Sequence, residues 1–396
     1  MTQNEGTVRR LRYIPSLEGI RGYGFLLVFI AHYFPPEQFA SSGRIFYYPS
    51  FIESAIATFA VPGFFVVSGY LIGGILYDTS DREGFFKVFY TRRILRVFPV
   101  YYLTLVAITL VDLYHRVPLD YHFWAHFVYL QNLLPGYATV PGAPMNQTIH
   151  FWSLAVEEQF YFFWPLVVWL FPARRTLLRI TCALITVSYV IRLASPWLHL
   201  SHEQIYLSTP TRVDTILLGV VLAIIRHDKI YARMVPIAKY VALGGFAIAA
   251  ARALWAGDPW SFSYSTILFL FPIVNITCAA LVIAVMEKNS WLCRICSQRW
   301  VCWLGKLSYS LYVFHFAYIM LFQKTLLPVL IPHLGHTISV FVSGSLAFCL
   351  TLTLSMVSYR FIEGPIANFK KRFKYGPAQR SRVRQDNGVE VLANVS

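Results

Sequence analysis

The sequence predicts an all-α fold, a polytopic transmembrane helix bundle of about ten spans, and three observations predict it. Of its 396 residues, 57% are hydrophobic and only 13% charged, where soluble domains carry about 45–50% apolar and about 25% charged residues. Mean hydropathy is +0.53. Apolar stretches of roughly 20 residues, enough to cross a ~30 Å hydrocarbon layer, recur along the whole chain. Thirty-two Phe, 25 Tyr and 10 Trp supply the aromatic load that suits bilayer interfaces. Together these exclude a soluble enzyme, a disordered chain and a disulfide scaffold. The six Cys form no framework, and Cys293-x-x-Cys296 lacks the second ligand pair a zinc site needs, so no metal is expected.

The spans are expected near 14–34, 53–77, 97–114, 150–171, 177–195, 211–226, 236–256, 262–287, 305–328 and 336–361. The first holds Glu18 and Arg21 and lacks a small-residue cleavage site, so it reads as a retained helix. An even number of spans places both termini on one side. With the N-terminus inside, the inner segments hold most of the 34 basic residues, including Arg92, Arg93, Arg96 and the run Lys370, Lys371 and Arg372. The outer loops hold only Arg44, Arg116 and Arg252. This is the positive-inside pattern. It makes the +15 charge largely topological, with lipid and not nucleic acid as the partner. The expected location is therefore the inner (plasma) membrane, with both termini cytoplasmic. Residues 1–13 form an inner tail, 14–366 one membrane domain, and 367–396 a basic tail expected to be disordered.

A charge near the bilayer centre costs about 2.5–3.5 kcal/mol on insertion scales, so each one asks for a reason. Arg21 and His32 lie eleven residues apart, three turns plus ~20°, which puts them on one helix face roughly 16 Å apart. His32 is either a base or an interfacial histidine bonded to a loop. Arg92 and Arg96 are four apart and Arg93 and Arg96 three apart, so all three can converge on one anion, guanidinium forks being suited to phosphate; lipid-headgroup anchoring is the plainer alternative. In "HFWSLAVEEQFYFFWP", Glu157 and Glu158 enter an otherwise aromatic span. They serve chemistry or balance a buried cation such as Arg212. Ser308, Tyr312 and His315 share one face of the ninth span, and Arg360 and Glu363 are spaced to pair. Gly69 and Gly73 form a small-xxx-small packing pair.

In order along the chain, "SLEGIRGYGFLLVFIAHYF", "PGFFVVSGYLIGGIL", "FYTRRILRVFPVYY", "HFWSLAVEEQFYFFWP", "LGKLSYSLYVFHF" and "YRFIEGPI" resemble the acyltransferase-3 family of integral membrane O-acyltransferases, over about residues 14–366. One departure is Glu18, where the family more often has Asp. The resemblance implies transfer of an acyl group, usually acetyl from acetyl-CoA, to a hydroxyl of a carbohydrate or glycolipid acceptor, with no bound cofactor. It makes His32 the key catalytic residue and gives Arg21, Arg93 and Arg96 importance for activity. Glu157 and Glu363 match recurring acids.

The expected mechanism has His32 deprotonate the acceptor hydroxyl. Arg21 or a backbone donor would stabilise the oxyanion, and Glu157 or Glu158 would orient the imidazole. Arg92, Arg93 and Arg96 would grip the acyl-CoA phosphates. The rival class is a transporter of a carbohydrate or anion, which also buries charge in a bundle. Against it, the sequence shows no paired hydropathy halves.

Overall fold

The computed structural model describes residues 13–40, 42–136, 148–257, 264 and 266–378. The chain opens with α1 (Pro15–Tyr33), α2 (Arg44–Ala57), α3 (Ala60–Thr79) and α4 (Phe85–Tyr114). The long connection carries the short α5 (Tyr121–His126), and its residues 137–147 lie outside the described residues. Next come α6 (Trp152–Leu170), α7 (Arg174–Ala194), α8 (His202–Leu207), α9 (Thr209–Ile225) and α10 (Lys229–Ala256). The last third holds α11 (Phe271–Met286), α12 (Trp291–Cys296), α13 (Arg299–Phe314), α14 (Leu327–Leu334), α15 (His336–Ser358) and α16 (Gly364–Lys370). No β-strand occurs among the described residues, only an isolated bridge between Arg82 and Ala378.

Seven helical segments are long and apolar enough to cross a membrane, so the count of ten is approximate. The three expected spans outside that set are α1, α6 and α13. Polar residues dilute two of them, Glu18, Arg21 and His32 in α1 and Glu157 and Glu158 in α6, while α13 is only 16 residues long.

Several boundaries differ from expectation for local reasons. The second span is two helices broken at Thr58, because Pro62 has no N–H to give the Thr58 carbonyl. The third begins at Phe85 rather than 97, so Arg93 and Arg96 stand two to three turns inside α4. The ninth ends at Phe314, followed by a turn and a π-helical stretch over Leu321–Leu326. Such stretches mark functional sites often enough to be informative. The tail is ordered further than expected: Gly376 N–H donates to the Glu83 carbonyl and Glu83 N–H to that of Pro377, each at 3.1 Å. Residues 379–396, and the inner Arg9, Arg10 and Arg12, lie outside the described residues.

Two parallel helix pairs set the frame. In both, small residues bring backbone against backbone, the approach that lets helices associate in lipid. A Cβ at Gly69 would fall 1.8 Å from the Ile216 carbonyl oxygen, so α3 meets α9 directly. A Cβ at Gly305 would fall 2.0 Å from the Glu18 carbonyl oxygen, and one at Gly19 only 1.7 Å from that of Cys296. These contacts run α1 along α13 and its preceding turn.

Polar ties reinforce the frame. Arg226 donates twice to Asp78 at 2.6 and 2.7 Å, joining the ends of α9 and α3. Arg192, 1% exposed, pairs with Asp214 at 2.6 Å, and Asn275 donates to the same carboxylate at 3.0 Å. This joins α7, α9 and α11. Arg212 is not balanced by the α6 glutamates: its guanidinium lies over the rings of Phe271, Tyr206 and Trp152 at 4.6, 5.1 and 5.8 Å, as cation–π contacts allow.

Gly305→Val should force α1 and α13 apart, since backbone and not a flexible side chain meets the added carbons. Overpacking of this kind costs about 1–3 kcal/mol. The expected outcome is a lower thermal midpoint in detergent, followed by size-exclusion of heated samples. An unchanged midpoint would contradict the close contact.

Candidate functional site

A cavity opens between α1, α3, α4, α6 and α13, with about 810 Å³ of non-atom space that includes its open mouth. Arg21 reaches it from α1, Ser68 from α3, Arg93 and Arg96 from α4, Ser153, Glu157, Glu158 and Tyr161 from α6, and Ser308, Tyr309 and Tyr312 from α13. The bundle thus brings together seven of the residues the sequence singled out: Arg21, Arg93, Arg96, Glu157, Glu158, Ser308 and Tyr312. Arginine stays protonated, so three guanidiniums face two carboxylates in the lining, with Glu18 and Glu363 close behind it.

The lower wall is tuned by aromatic and hydroxyl contacts. The Arg93 guanidinium lies 5.5 Å from the Tyr161 ring centroid and 5.8 Å from that of Phe89. The Tyr161 hydroxyl bonds to Ser68 and donates to Glu157 at 3.3 Å. Glu18 is the ion-pair partner of Arg21 at 3.6 Å. Of the cavity-lining donors, two are buried with no partner among the described residues: Arg93 Nε and Ser308 Oγ. Ser308 is 1% exposed and lines the cavity, so its hydroxyl is left for a ligand, since a buried unmade hydrogen bond costs about 1–3 kcal/mol.

At the upper end the cavity stops at Ser153 and Tyr312. Their hydroxyls lie 2.7 Å apart, and both reach the His150 carbonyl, Tyr312 at 3.0 Å and Ser153 at 3.1 Å. The next layer is a cluster of three histidines. The Tyr312 ring lies 5.3 Å from His150 and 5.4 Å from His315, and His315 lies 5.2 Å from His32. His32 Nδ1 is 3.1 Å from His315 Nε2. His150 and His315 are 4% and 0% exposed, while His32 is half-buried. His32 Nε2 has no hydrogen-bond partner among the described residues. Gln323 donates to the His32 carbonyl at 2.9 Å, which explains the value of the π-helical stretch that carries it.

Four expectations are corrected. His32 is oriented by His315 and not by Glu157 or Glu158, which face the cavity below. Arg21 lies on the helix face of His32 but roughly three turns away, beside Arg93 and Arg96 rather than beside the imidazole. Arg92 does not converge with its neighbours: Nε donates to the Phe373 carbonyl at 2.9 Å, and the guanidinium lies 5.5 Å from the Tyr375 ring centroid. Arg92 therefore holds the 371–378 strap. Glu363 accepts from Ser358 at 3.2 Å and does not ion-pair with Arg360; Arg96 and Arg21 are cations acting on it. Sequence reasoning passed over Ser68, Ser153, Tyr161 and Gln323 as site residues.

Arg92→Ala should release the strap while leaving the cavity cations in place. Hydrogen exchange in detergent is expected to rise over residues 371–378 and stay unchanged over α6 and α13. Loss of protection throughout the bundle would instead make Arg92 a global structural residue.

A family model described as an acyltransferase domain matches residues 14–360. "Putative O-acetyltransferase SACOL0978" of Staphylococcus aureus strain COL is 26% identical over 378 residues, covering 90% of this chain and 58% of that protein. O-acetyltransferase OatA of Staphylococcus aureus strain NCTC 8325 / PS 47 is 26% identical over 383 residues, covering 92% and 58%. The chain spans less than two thirds of the length of these curated relatives. No solved structure matches. With its motifs in order on one bundle and the family model covering nearly all of it, the chain belongs to the acyltransferase-3 family.

Proposed function

We propose that the chain is a multi-pass membrane O-acyltransferase that moves an acyl group, most simply acetyl, from acyl-CoA to a hydroxyl of a carbohydrate or glycolipid. The observation that carries this reading is one column of groups. Three guanidiniums cluster at Arg21, Arg93 and Arg96, hydroxyls follow at Ser308, Ser153 and Tyr312, and the unpaired nitrogen of His32 lies beyond them. A CoA thioester has the same order of chemistry, phosphates at one end and an electrophilic carbonyl at the other. The names of the relatives support acetyl as the group carried. The α4 end of the cavity would face the cytoplasm, where acyl-CoA is made, and the His32 end the outer surface.

In this reading the acceptor oxygen attacks the thioester carbonyl while its proton passes to His32 Nε2. The tetrahedral oxyanion collapses, the C–S bond breaks, and the leaving thiolate takes the proton back from the imidazolium. The products are an ester and CoA–SH. The C-terminal ends of α1 and α13 both lie at His32 and His315, and helix C-termini stabilise a cation, which favours the imidazolium while it exists. Tyr312 and Ser153, not Arg21, are the cavity donors closest to the histidines and the better placed for an oxyanion.

The decisive assay incubates the purified protein in liposomes with labelled acetyl-CoA and a crude envelope glycan. Alkali-labile label on the glycan supports transfer; thioester left intact while a solute crosses the bilayer would establish the transporter reading instead. His32→Ala should lower turnover by at least the ~10²–10⁴-fold of a lost general base, and His32→Gln should do no better, because an amide accepts no proton. A Gln variant keeping more than about a tenth of wild-type turnover would remove His32 as the base.

Arg93→Ala or Arg96→Ala should raise the KM for acyl-CoA with the protein still folded. Lysine should restore affinity only in part, since an ammonium lacks the bidentate fork. Wild-type KM in both Ala variants would sink the phosphate role.

A further inference from the structure

The end of α13 determines more than where a helix stops. An α-helix leaves its last four carbonyls without intrahelical partners. Here the Leu311 carbonyl accepts from His315 N–H and that of Phe314 from Ala317 N–H, each at 3.1 Å. The remaining two are taken by histidine rings: His315 Nδ1 reaches the Tyr312 carbonyl at 2.7 Å, and His150 Nε2 reaches that of Val313 at 3.3 Å. A carbonyl only accepts, so both of these ring nitrogens carry protons.

We propose that His315, by capping α13, acts as a positioning residue that holds His32 in the tautomer with its lone pair on Nε2. His315 is fully buried, and the titratable groups facing it are His32, His150 and Tyr312. No carboxylate touches it, so a charged ring would be unpaired in an apolar interior, which is prohibitively costly. His315 is therefore neutral. With its proton on Nδ1, its Nε2 bears a lone pair.

The 3.1 Å contact with His32 Nδ1 then needs the proton on the His32 side. A neutral imidazole has one N–H, so His32 Nε2 is bare. Two further bonds lock the arrangement: the Tyr33 hydroxyl donates to the His315 carbonyl at 2.7 Å and Gln323 to the His32 carbonyl at 2.9 Å. Helix termination, read through two rings, selects the basic nitrogen. That this nitrogen acts as the base rests on the function proposed above; the tautomer does not.

The test uses the full chain with ¹⁵N-histidine in liposomes, its His32 resonances assigned by difference from His32→Gln, and solid-state NMR at neutral pH. In wild type, His32 should be protonated at Nδ1 and bare at Nε2. His315→Asn keeps a donor near the Tyr312 carbonyl but withdraws the acceptor from His32. It should move the His32 proton to Nε2 and cut kcat by about 10²–10⁴-fold, with the acyl-CoA KM unchanged. His315→Gln places an amide oxygen near the position of Nε2 and should recover kcat to within about tenfold of wild type.

Protonation of His32 at Nε2 in wild type overturns the proposal without any variant having to fold. So does an Asn variant whose His32 tautomer does not move, or whose tautomer moves with no change in kcat. If wild type shows the Nδ1–H tautomer and yet transfers no acyl group, the function fails and the positioning contact stands.

Discussion

Where α1 and α13 lie side by side, carbonyl oxygens occupy the space that side chains would fill at Gly19, Gly22 and Gly305, and the site depends on that contact. Residues 18–32 and 305–315 are far apart in the chain, so only a packed helix pair brings His32 within hydrogen-bond distance of His315. In lipid, apolar side chains gain little by leaving the solvent, so close packing and interhelical hydrogen bonds drive association. Small residues on both helices supply the packing, and Tyr33 to the His315 carbonyl supplies a bond. The same pairing presents Arg21 to the cavity, because its face of α1 is fixed once Gly19 and Gly22 are against α13.

The electrostatics follow from this frame. Five charged side chains, Arg21, Arg93, Arg96, Glu157 and Glu158, line a cavity within a bundle whose outer helices are apolar. Buried charges need partners. Here they are one another, the Tyr161 ring and hydroxyl, and the space for a ligand. The other buried charges, Arg192 with Asp214 and Arg212 among three rings, are closed on themselves and lock α7, α9 and α11. The difference is access: one set lines open volume, and the other is sealed.

Much of this was legible before the structure. Arg21 and His32 share a helix face by periodicity, Glu157 and Glu158 were out of place in an aromatic span, and the small-xxx-small pair at Gly69 and Gly73 named a packing surface. The same polar residues that marked α1 and α6 as functional also lowered their hydropathy, and α13 stops at 16 residues, which is why the span count is approximate. What periodicity could not give is contact across the chain. His32 and His315 are 283 positions apart, and nothing local says that their rings meet. Arg92 misled because spacing places three arginines near one anion but does not say which is claimed by a backbone carbonyl 281 positions on. The tail's basic composition suggested disorder, while Tyr375 and Gly376 in fact tie it to α3 and the turn before α4.

The cavity and the histidine cluster are separate compartments, and the separation has a physical consequence. Ser153 and Tyr312 bond across the top of the cavity, and the Tyr312 ring packs against both buried histidines. Under the proposed reading, a thioester held by the arginines below would therefore be shielded from the base above until that layer yields. An unshielded thioester beside a bare imidazole nitrogen would be open to water as well as to the acceptor, and excluding water is one way enzymes suppress side reactions. The hydroxyl contacts that close the layer are neutral and few, each worth about 0.5–1.5 kcal/mol net. The backbone contacts that hold α1 to α13 involve no side chain that could rotate away. The top of the cavity is thus closed by hydroxyls, and the α1–α13 contact rests on the carbonyl oxygens of Glu18 and Val301.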